Sequence, residues 1–384
     1  MQAERIILLL TNKKHPAGCF FIESIFYFLN TENIKKLQAT IPEGMDAILI
    51  TSEMHQYYLT GFNIQDGYVA VMRDCAFVFV DFRYIEAARA EIDCEIFTVY
   101  DKSGLEFVRD TLREHGAKSV GFEDKVVTVD LFNWYKRVFG EETQLLPIGG
   151  LLEVQRTVKT EFELDMIKKA QSIGDAAFAH ILGFITPDRT ETEIAVELEY
   201  FMKRQGASGT SFSTICVSGA ASSLPHGEPK NRKLEKGFLT MDFGCIYNGY
   251  CSDMTRTIVI GDADAEMRRV YDTVLRAQCA VLEAIDWHSN CAEMDKIARD
   301  IIDNAGYKGK FGHSLGHGVG LYIHEKPGLN SGNTGTVLEN GHVVTVEPGI
   351  YLEGQYGVRI EDMVIIHNNR AENITKSPKE LIIL

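Results

Sequence analysis

A chain of 384 residues, 45% hydrophobic and 24% charged, is too long for one ordinary core and reads as two globular domains. Its formal net charge of −15 argues against non-specific nucleic-acid binding, which needs basic surface to neutralise phosphates. The eight cysteines form no CxxC pair, which argues against a zinc ribbon or thioredoxin-like site and fits a reducing compartment.

The first thirty residues hold two short apolar runs, 6–10 and 19–29, the first followed by Lys13 and Lys14 and the second containing Glu23. Neither resembles a signal-peptide core with a small-residue cleavage site, and neither approaches the ~20 residues that span a bilayer. Residues 1–30 are therefore expected to be an extension of uncertain order, with no membrane partner and the cytoplasm as the default compartment.

From residue 31 the pattern becomes regular. Residues 34–41 have helical spacing closed by Pro42-Glu43-Gly44, and 46–51 (DAILIT) is a short buried strand. Residues 68–72 and 76–80 read as strands joined at Arg73-Asp74. A helix follows at 84–91, then an amphipathic helix at 105–115 ended by Gly116, then a strand at 119–122. This alternation predicts an α/β N-terminal domain over 31–150 with a mostly parallel sheet.

Gly149-Gly150 marks the boundary to a second domain, 151–384. A helix is expected from about Glu161 to Leu182, with Leu164, Ile167, Ala170, Ile173, Ala177 and Ile181 on one face. Thr190 and Glu193 form a T-x-x-E capping box at the start of another, running to about Gln205. Further helices are expected near 265–284 and 294–305, the last stopped by Gly306. The stretches 212–218, 238–260 and 342–366 are rich in strand formers. The second domain thus reads as α+β, an antiparallel sheet covered by helices.

Three clusters carry chemistry. In the first, Asn248-Gly249, a strong hairpin-turn signal, separates Asp242 from Asp253. If those two residues form the turn, Tyr247 pairs with Tyr250 and Asp242 with Thr255. Asp253 then shares the face of Asp242, provided no bulge intervenes. Two adjacent carboxylates raise each other's pKa unless a cation lies between them. Ordinary surface aspartates on an exposed hairpin are the alternative, and the apolar neighbours Met241, Phe243 and Met254 weigh against it.

The second cluster is 311–327, where His313, His317 and His324 are interleaved with glycines that let backbone approach a ligand closely. His324-Glu325 does not open an H-E-x-x-H zinc helix, because Lys326, Pro327 and Gly328 follow. The third cluster places Glu347 after Val343-Val344-Thr345-Val346, and Glu361 after Gly357-Val358-Arg359-Ile360. A glutamate in such a strand is costly to bury without a cation or a proton, although an edge strand with outward glutamates would look the same. Together the clusters are rich in oxygen donors with few nitrogens. They suit Mn²⁺, Co²⁺ or Fe²⁺ better than a cysteine-bound structural zinc, and four carboxylates point to two ions rather than one.

With these residues in view, the chain resembles the pita-bread metallopeptidase family, which includes Xaa-Pro aminopeptidase, prolidase and methionine aminopeptidase. The resemblance rests on DFG…GYCSDMTRT (242–257), PHG (225–227), GHGVGLYIHEKP (316–327), VEPGIY (346–351) and GVRIED (357–362). YYLTGF…VDFRYIEAA (57–88) resembles the small creatinase/prolidase-type N-terminal domain of the proline-specific branch, which methionine aminopeptidases lack. Residues 1–30 are not covered.

The resemblance implies a pita-bread catalytic domain and hydrolysis of Xaa-Pro bonds, by an aminopeptidase P-like enzyme or an Xaa-Pro dipeptidase. It implies two divalent ions, Mn first and Co, Fe or Zn as alternatives. Asp242 and Glu347 would be terminal ligands, His317 would bind one ion, and Asp253 and Glu361 would bridge. A metal-bridging hydroxide would attack the carbonyl with Glu347 as proton shuttle. His226 and His324 would bind substrate and stabilise the oxyanion, Arg359 would orient the carboxylates or substrate, and a homodimer is the implied assembly. A creatinase-like amidinohydrolase and a non-catalytic pita-bread binding protein share the fold but normally lack the full ligand set, which is complete in this sequence.

Overall fold

The computed structural model describes residues 32–99 and 104–384; the extension expected over 1–30 lies outside them. The chain divides into two compact units between Leu152 and Glu153.

The first unit is built on strands β1 (Ala47–Ile50), β2 (Tyr68–Met72), β3 (Ala76–Asp81), β4 (Glu95–Val99), β5 (Ser119–Phe122) and β6 (Gln144–Pro147), in the order β4-β3-β2-β1-β5-β6. β3 and β4 pair parallel, as do β1 with β5 and β5 with β6. β1, β2 and β3 pair antiparallel. The sheet is therefore more mixed than the alternation suggested, because the short link from Arg73 to Cys75 leaves no room for a parallel crossover. Ala47, Leu49, Ala70, Phe77 and Phe79 from the strands and Val108, Leu112, Tyr135 and Phe139 from the helices form its core. Two of its helices have no counterpart in the sequence reading. Glu53–Thr60 ends at left-handed Gly61, and Val129–Phe139 is capped by Thr128, whose oxygen accepts from the Leu131 N–H at 3.2 Å.

In the second unit, helices Glu161–Leu182 and Glu191–Arg204 both open with complete capping boxes, Thr160 with Glu163 and Thr190 with Glu193. Ile173, Ala177, Ile194 and Leu198 pack from these helices onto Leu239, Met241, Met254 and Ile258. Helices Ala265–Ala284 and Cys291–Ile302 contribute Val270, Val274 and Ala298 to a second core with Val344, Val346, Ile360 and Val364. The last helix begins earlier than its apolar spacing suggested, because Asn290 caps it, accepting from the N–H groups of Ala292 and Glu293.

The strands of this unit are β7 (Gly209–Thr210), β8 (Ile215–Ser218), β9 (Gly237–Phe243), β10 (Cys245–Tyr247), β11 (Tyr250–Cys251), β12 (Met254–Ile260), β13 (Gly316–Gly318), β14 (Glu325–Leu329), β15 (Val343–Val346), β16 (Gly349–Leu352), β17 (Tyr356–Arg359), β18 (Asp362–His367) and β19 (Arg370–Asn373). Among the described residues they form four antiparallel ladders, β12-β9-β8, β11-β10-β7, β14-β13-β15-β18-β19 and β16-β17, rather than one continuous sheet. The joints fall at chemically important positions: Asp253 between β11 and β12, Glu347 between β15 and β16, and Glu361 between β17 and β18. Pro348 has no N–H to give a ladder, which helps end β15 beside Glu347. No helix among the described residues is long and apolar enough to cross a membrane.

Candidate metal centre

The hairpin that carries the two aspartates has the register its turn dictates. Asn248 and Gly249 take positive φ values of 45° and 80°, the signature of a tight two-residue turn. Tyr247 faces Tyr250, and Asp242 faces Thr255. The ladder changes plane midway without slipping. Gly244 makes this possible, because a Cβ there would lie 1.9 Å from the Ser252 carbonyl oxygen. The change of plane leaves Asp253 outside the ladder.

His317 lies on β13. Its Nδ1 is 3.1 Å from the Gly318 carbonyl oxygen, which can only accept, so Nδ1 carries the proton. Nε2 is then a bare lone pair, 3.5 Å from Asp253 Oδ2 and 3.4 Å from Glu347 Oε1. Burial, with a contribution from His324, pushes the His317 pKa down to about 4 and keeps the ring neutral. A neutral lone pair facing two carboxylates is repulsive unless a cation lies between them.

The other carboxylates are held by hydroxyl groups. The Thr345 hydroxyl donates to Glu347 Oε1 at 3.1 Å and accepts from the His317 N–H at 3.1 Å. The Thr255 hydroxyl donates to Glu361 Oε2 at 2.7 Å. Burial, followed by the charges of Glu361, Asp242 and Glu347, drives Asp253 well above the usual carboxylate range. Burial raises Glu347 to about 8, with Arg359 opposing and Asp242 adding to the rise. Burial, Glu347 and Asp242 likewise raise Glu361.

Arg359, on β17, is the buried cation that meets this cluster. It donates to Asp242 Oδ2 at 2.6 Å, the Tyr351 hydroxyl at 2.7 Å, the Thr255 hydroxyl at 3.0 Å and the Pro225 carbonyl at 3.3 Å. The last bond ties the loop that carries His226, an exposed residue. The exposed His324 packs its ring edge-on against His317, with centroids 4.2 Å apart.

Asp242, Asp253, His317, Glu347, Glu361 and Arg359 thus converge, with His226 and His324 on the exposed side. Tyr351 was not singled out by the sequence reading. Its hydroxyl joins His313 Nε2, 2.9 Å away, to Arg359. The signal lies in strand parity: Gly349 faces Arg359, so Tyr351 shares its face two residues on. A Cβ on Gly349 would lie 2.7 Å from the Tyr351 hydroxyl, so only a glycine leaves room for this contact.

These residues fit divalent cations. Asp253, His317 and Glu361 each offer a ligand atom, all within 4.8 Å of one another. Asp242 Oδ1 and Glu361 Oε1 are buried without a hydrogen-bond partner, a costly state that coordination would relieve. Carboxylates with a single imidazole form an oxygen-rich set suited to hard or borderline ions.

Residues 165–368 match metallopeptidase family M24, and residues 34–158 match the creatinase/prolidase N-terminal domain. The chain is 36% identical over 356 residues to an Xaa-Pro dipeptidase of Pyrococcus furiosus, spanning 91% of this chain and 99% of that protein. Among solved structures, an Xaa-Pro dipeptidase from Bacillus anthracis superposes with a TM-score of 0.88 at 42% identity, over 92% of this chain and 100% of that one. An X-Pro aminopeptidase from Thermotoga maritima superposes with a TM-score of 0.85 at 34% identity, over 89% and 98%.

Proposed function

The chain belongs to metallopeptidase family M24, a family of divalent-metal-dependent peptidases, and on that premise we propose that it hydrolyses the peptide bond preceding proline. The observation that carries this reading is the convergence of Asp253, His317 and Glu361 with the partnerless oxygens of Asp242 and Glu361. The likeness to Xaa-Pro dipeptidases over nearly their whole length supports the substrate class.

Two ions are proposed, which Asp242, Asp253, His317, Glu347 and Glu361 would hold. Manganese is the first choice for so oxygen-rich a set, and cobalt, iron and zinc are the alternatives. When bound, such ions supply Lewis acidity and a nucleophile from water at neutral pH.

The chain's own groups do the rest. Glu347 accepts the proton of the attacking water and delivers it to the proline nitrogen, which leaves as a secondary amine. His324 and His226, on the exposed side, bind substrate and donate to the oxyanion that develops on the carbonyl. Arg359 fixes Asp242 through its 2.6 Å bond and joins it to Tyr351. Proline specificity has a physical basis, because the bond has no amide N–H and its φ is fixed. A site that acts on the carbonyl and does not pair the substrate as an added strand avoids both handicaps. The complete carboxylate and histidine set counts against an amidinohydrolase or a binding-only relative.

The same reading extends to a homodimer in the cytoplasm, where the buried free thiols of Cys216, Cys245, Cys251 and Cys291 would stay reduced. The test is the Mn²⁺-loaded protein assayed on Ala-Pro and on a tetrapeptide beginning Ala-Pro. Cleavage of the dipeptide alone makes it a dipeptidase, and cleavage of both makes it an aminopeptidase. Cleavage of neither, with metal bound, overturns the proline assignment.

A further inference from the structure

Behind His317 on β13 and His324, just before β14, lies a buried charge cluster that the proposed chemistry does not use. Gly318 faces Glu325 across the β13–β14 pair, whose register shifts at His317, and His324 lies just before β14. The His317 and His324 rings meet edge-on, whereas Glu325 has a separate set of partners. Its carboxylate pairs with Arg156 and, at 3.1 Å, with Lys159, and the three side chains are 7%, 3% and 1% exposed.

The cluster also grips the loop between the histidines. The Tyr322 N–H donates to Glu325 Oε1 at 2.9 Å, and the Tyr322 ring lies over the Arg156 guanidinium at 4.8 Å. Gly320 has no side chain to obstruct this, since a Cβ there would lie 2.6 Å from the Glu325 carboxylate. The Gly320 carbonyl accepts from the Cys251 N–H at 2.8 Å, two residues from Asp253. Burial alone would raise the Glu325 pKa, but the charges of Lys159 and Arg156 outweigh it and hold the group below its ordinary value.

A buried ion cluster is weak evidence for stability, since apolar side chains of similar volume often serve as well. What the cluster supplies is a fixed backbone at residues 320–325. We infer that Glu325, clamped by Arg156 and Lys159, is a positioning residue that sets the His324 imidazole against His317 and in line with the substrate carbonyl. The inference rests on the Xaa-Pro peptidase reading and on His324 facing the substrate. The Glu325 carboxylate meets Arg156, Lys159 and the Tyr322 N–H, and acts only through His324.

The test is a double-mutant cycle on the Mn²⁺-loaded protein with Ala-Pro as substrate. Glu325→Gln is expected to lower kcat about 10- to 100-fold, in the range seen when groups that orient active-site ligands are removed. Metal content should be little changed, and the loss should fall more on kcat than on KM, because the His324 contact with the developing oxyanion is weakened more than its hold on bound substrate. In a His324→Ala background the same substitution should cost almost nothing. Equal losses in both backgrounds, or loss of bound metal with Glu325→Gln, would overturn the positioning role. Should Glu325→Gln not fold, Lys159→Met leaves the Arg156–Glu325 pair in place. It should give a smaller kcat loss that again vanishes without His324, and an additive loss would count against the proposal. A wild-type protein that binds metal but leaves Xaa-Pro bonds intact would overturn the peptidase reading, and this inference with it.

Discussion

Arg359 donates from Nη2 to Asp242 Oδ2 at 2.6 Å, while Nε and Nη1 of the same guanidinium reach Thr255 and Tyr351. Because Thr255 in turn donates to Glu361, one side chain sets the orientation of two carboxylates, Asp242 on β9 and Glu361 at the joint between β17 and β18. A guanidinium suits this task, since its planar fork offers several fixed donors.

Arg359→Lys should therefore lower kcat/KM on Ala-Pro by about 10- to 100-fold, because an ammonium cannot hold the same fork. Steady-state kinetics on the metal-loaded variant checks this. Wild-type kcat/KM in the variant would mean that Asp242 and Glu361 are oriented by something else.

Gly244→Ala should separate the two aspartates by breaking the hairpin that brings them together. Its Cβ would be forced to within 1.9 Å of the Ser252 carbonyl oxygen, and backbone cannot yield as a flexible side chain can. The expected result is a large fall in Tm with loss of bound metal. A variant that keeps both its Tm and its metal content would show that the hairpin can cross in another way.

The hairpin was the most legible part of the site. Asn248-Gly249 fixes its register from two residues, and Gly244 preserves the count even though the ladder changes plane. The long helices were equally readable, because Thr190 with Glu193 and the spacing from Leu164 to Ile181 are local signals. Helix Val129–Phe139 is not legible because Phe132, Trp134 and Tyr135 are poor helix formers, a preference that the burial of Tyr135 and Phe139 overrides. The outermost strands β4 and β6 are short and half exposed, and so lack a clear alternation. Tyr351 is marked by spacing only once the β16–β17 register is known, and Thr345 acts through a bend in the chain that no spacing rule marks. That Asp253, Glu347 and Glu361 occupy joints between ladders was also hidden, since a joint is defined by pairing partners rather than by its own residues.

Acid should destabilise the metal-free protein through His342, a buried histidine outside the metal centre. Its Nδ1 accepts from the Glu339 N–H at 3.1 Å, and burial, aided by the Lys159 charge, lowers its pKa from 6.5 to about 4. With the folded pKa below the unfolded one, the unfolded chain binds more protons between these values. Stability is thus full above pH 6.5 and is lost as pH falls toward 4, by about 3 kcal/mol at most from this group. His342→Asn keeps an acceptor but does not titrate, so urea unfolding of the variant should show a shallower pH dependence over that window. An unchanged slope would exclude His342 as a contributor.

Asp253, with Asp242, His317, Glu347 and Glu361, is proposed to hold the two metal ions that make this chain a peptidase. Titration of metal-stripped protein with Mn²⁺, following bound metal and Ala-Pro hydrolysis together for wild type and Asp253→Ala, tests this. Two equivalents are expected in the wild type, with activity restored as they bind, and reduced stoichiometry with no turnover in the variant. Full activity without metal, or wild-type stoichiometry and turnover in Asp253→Ala, would contradict it.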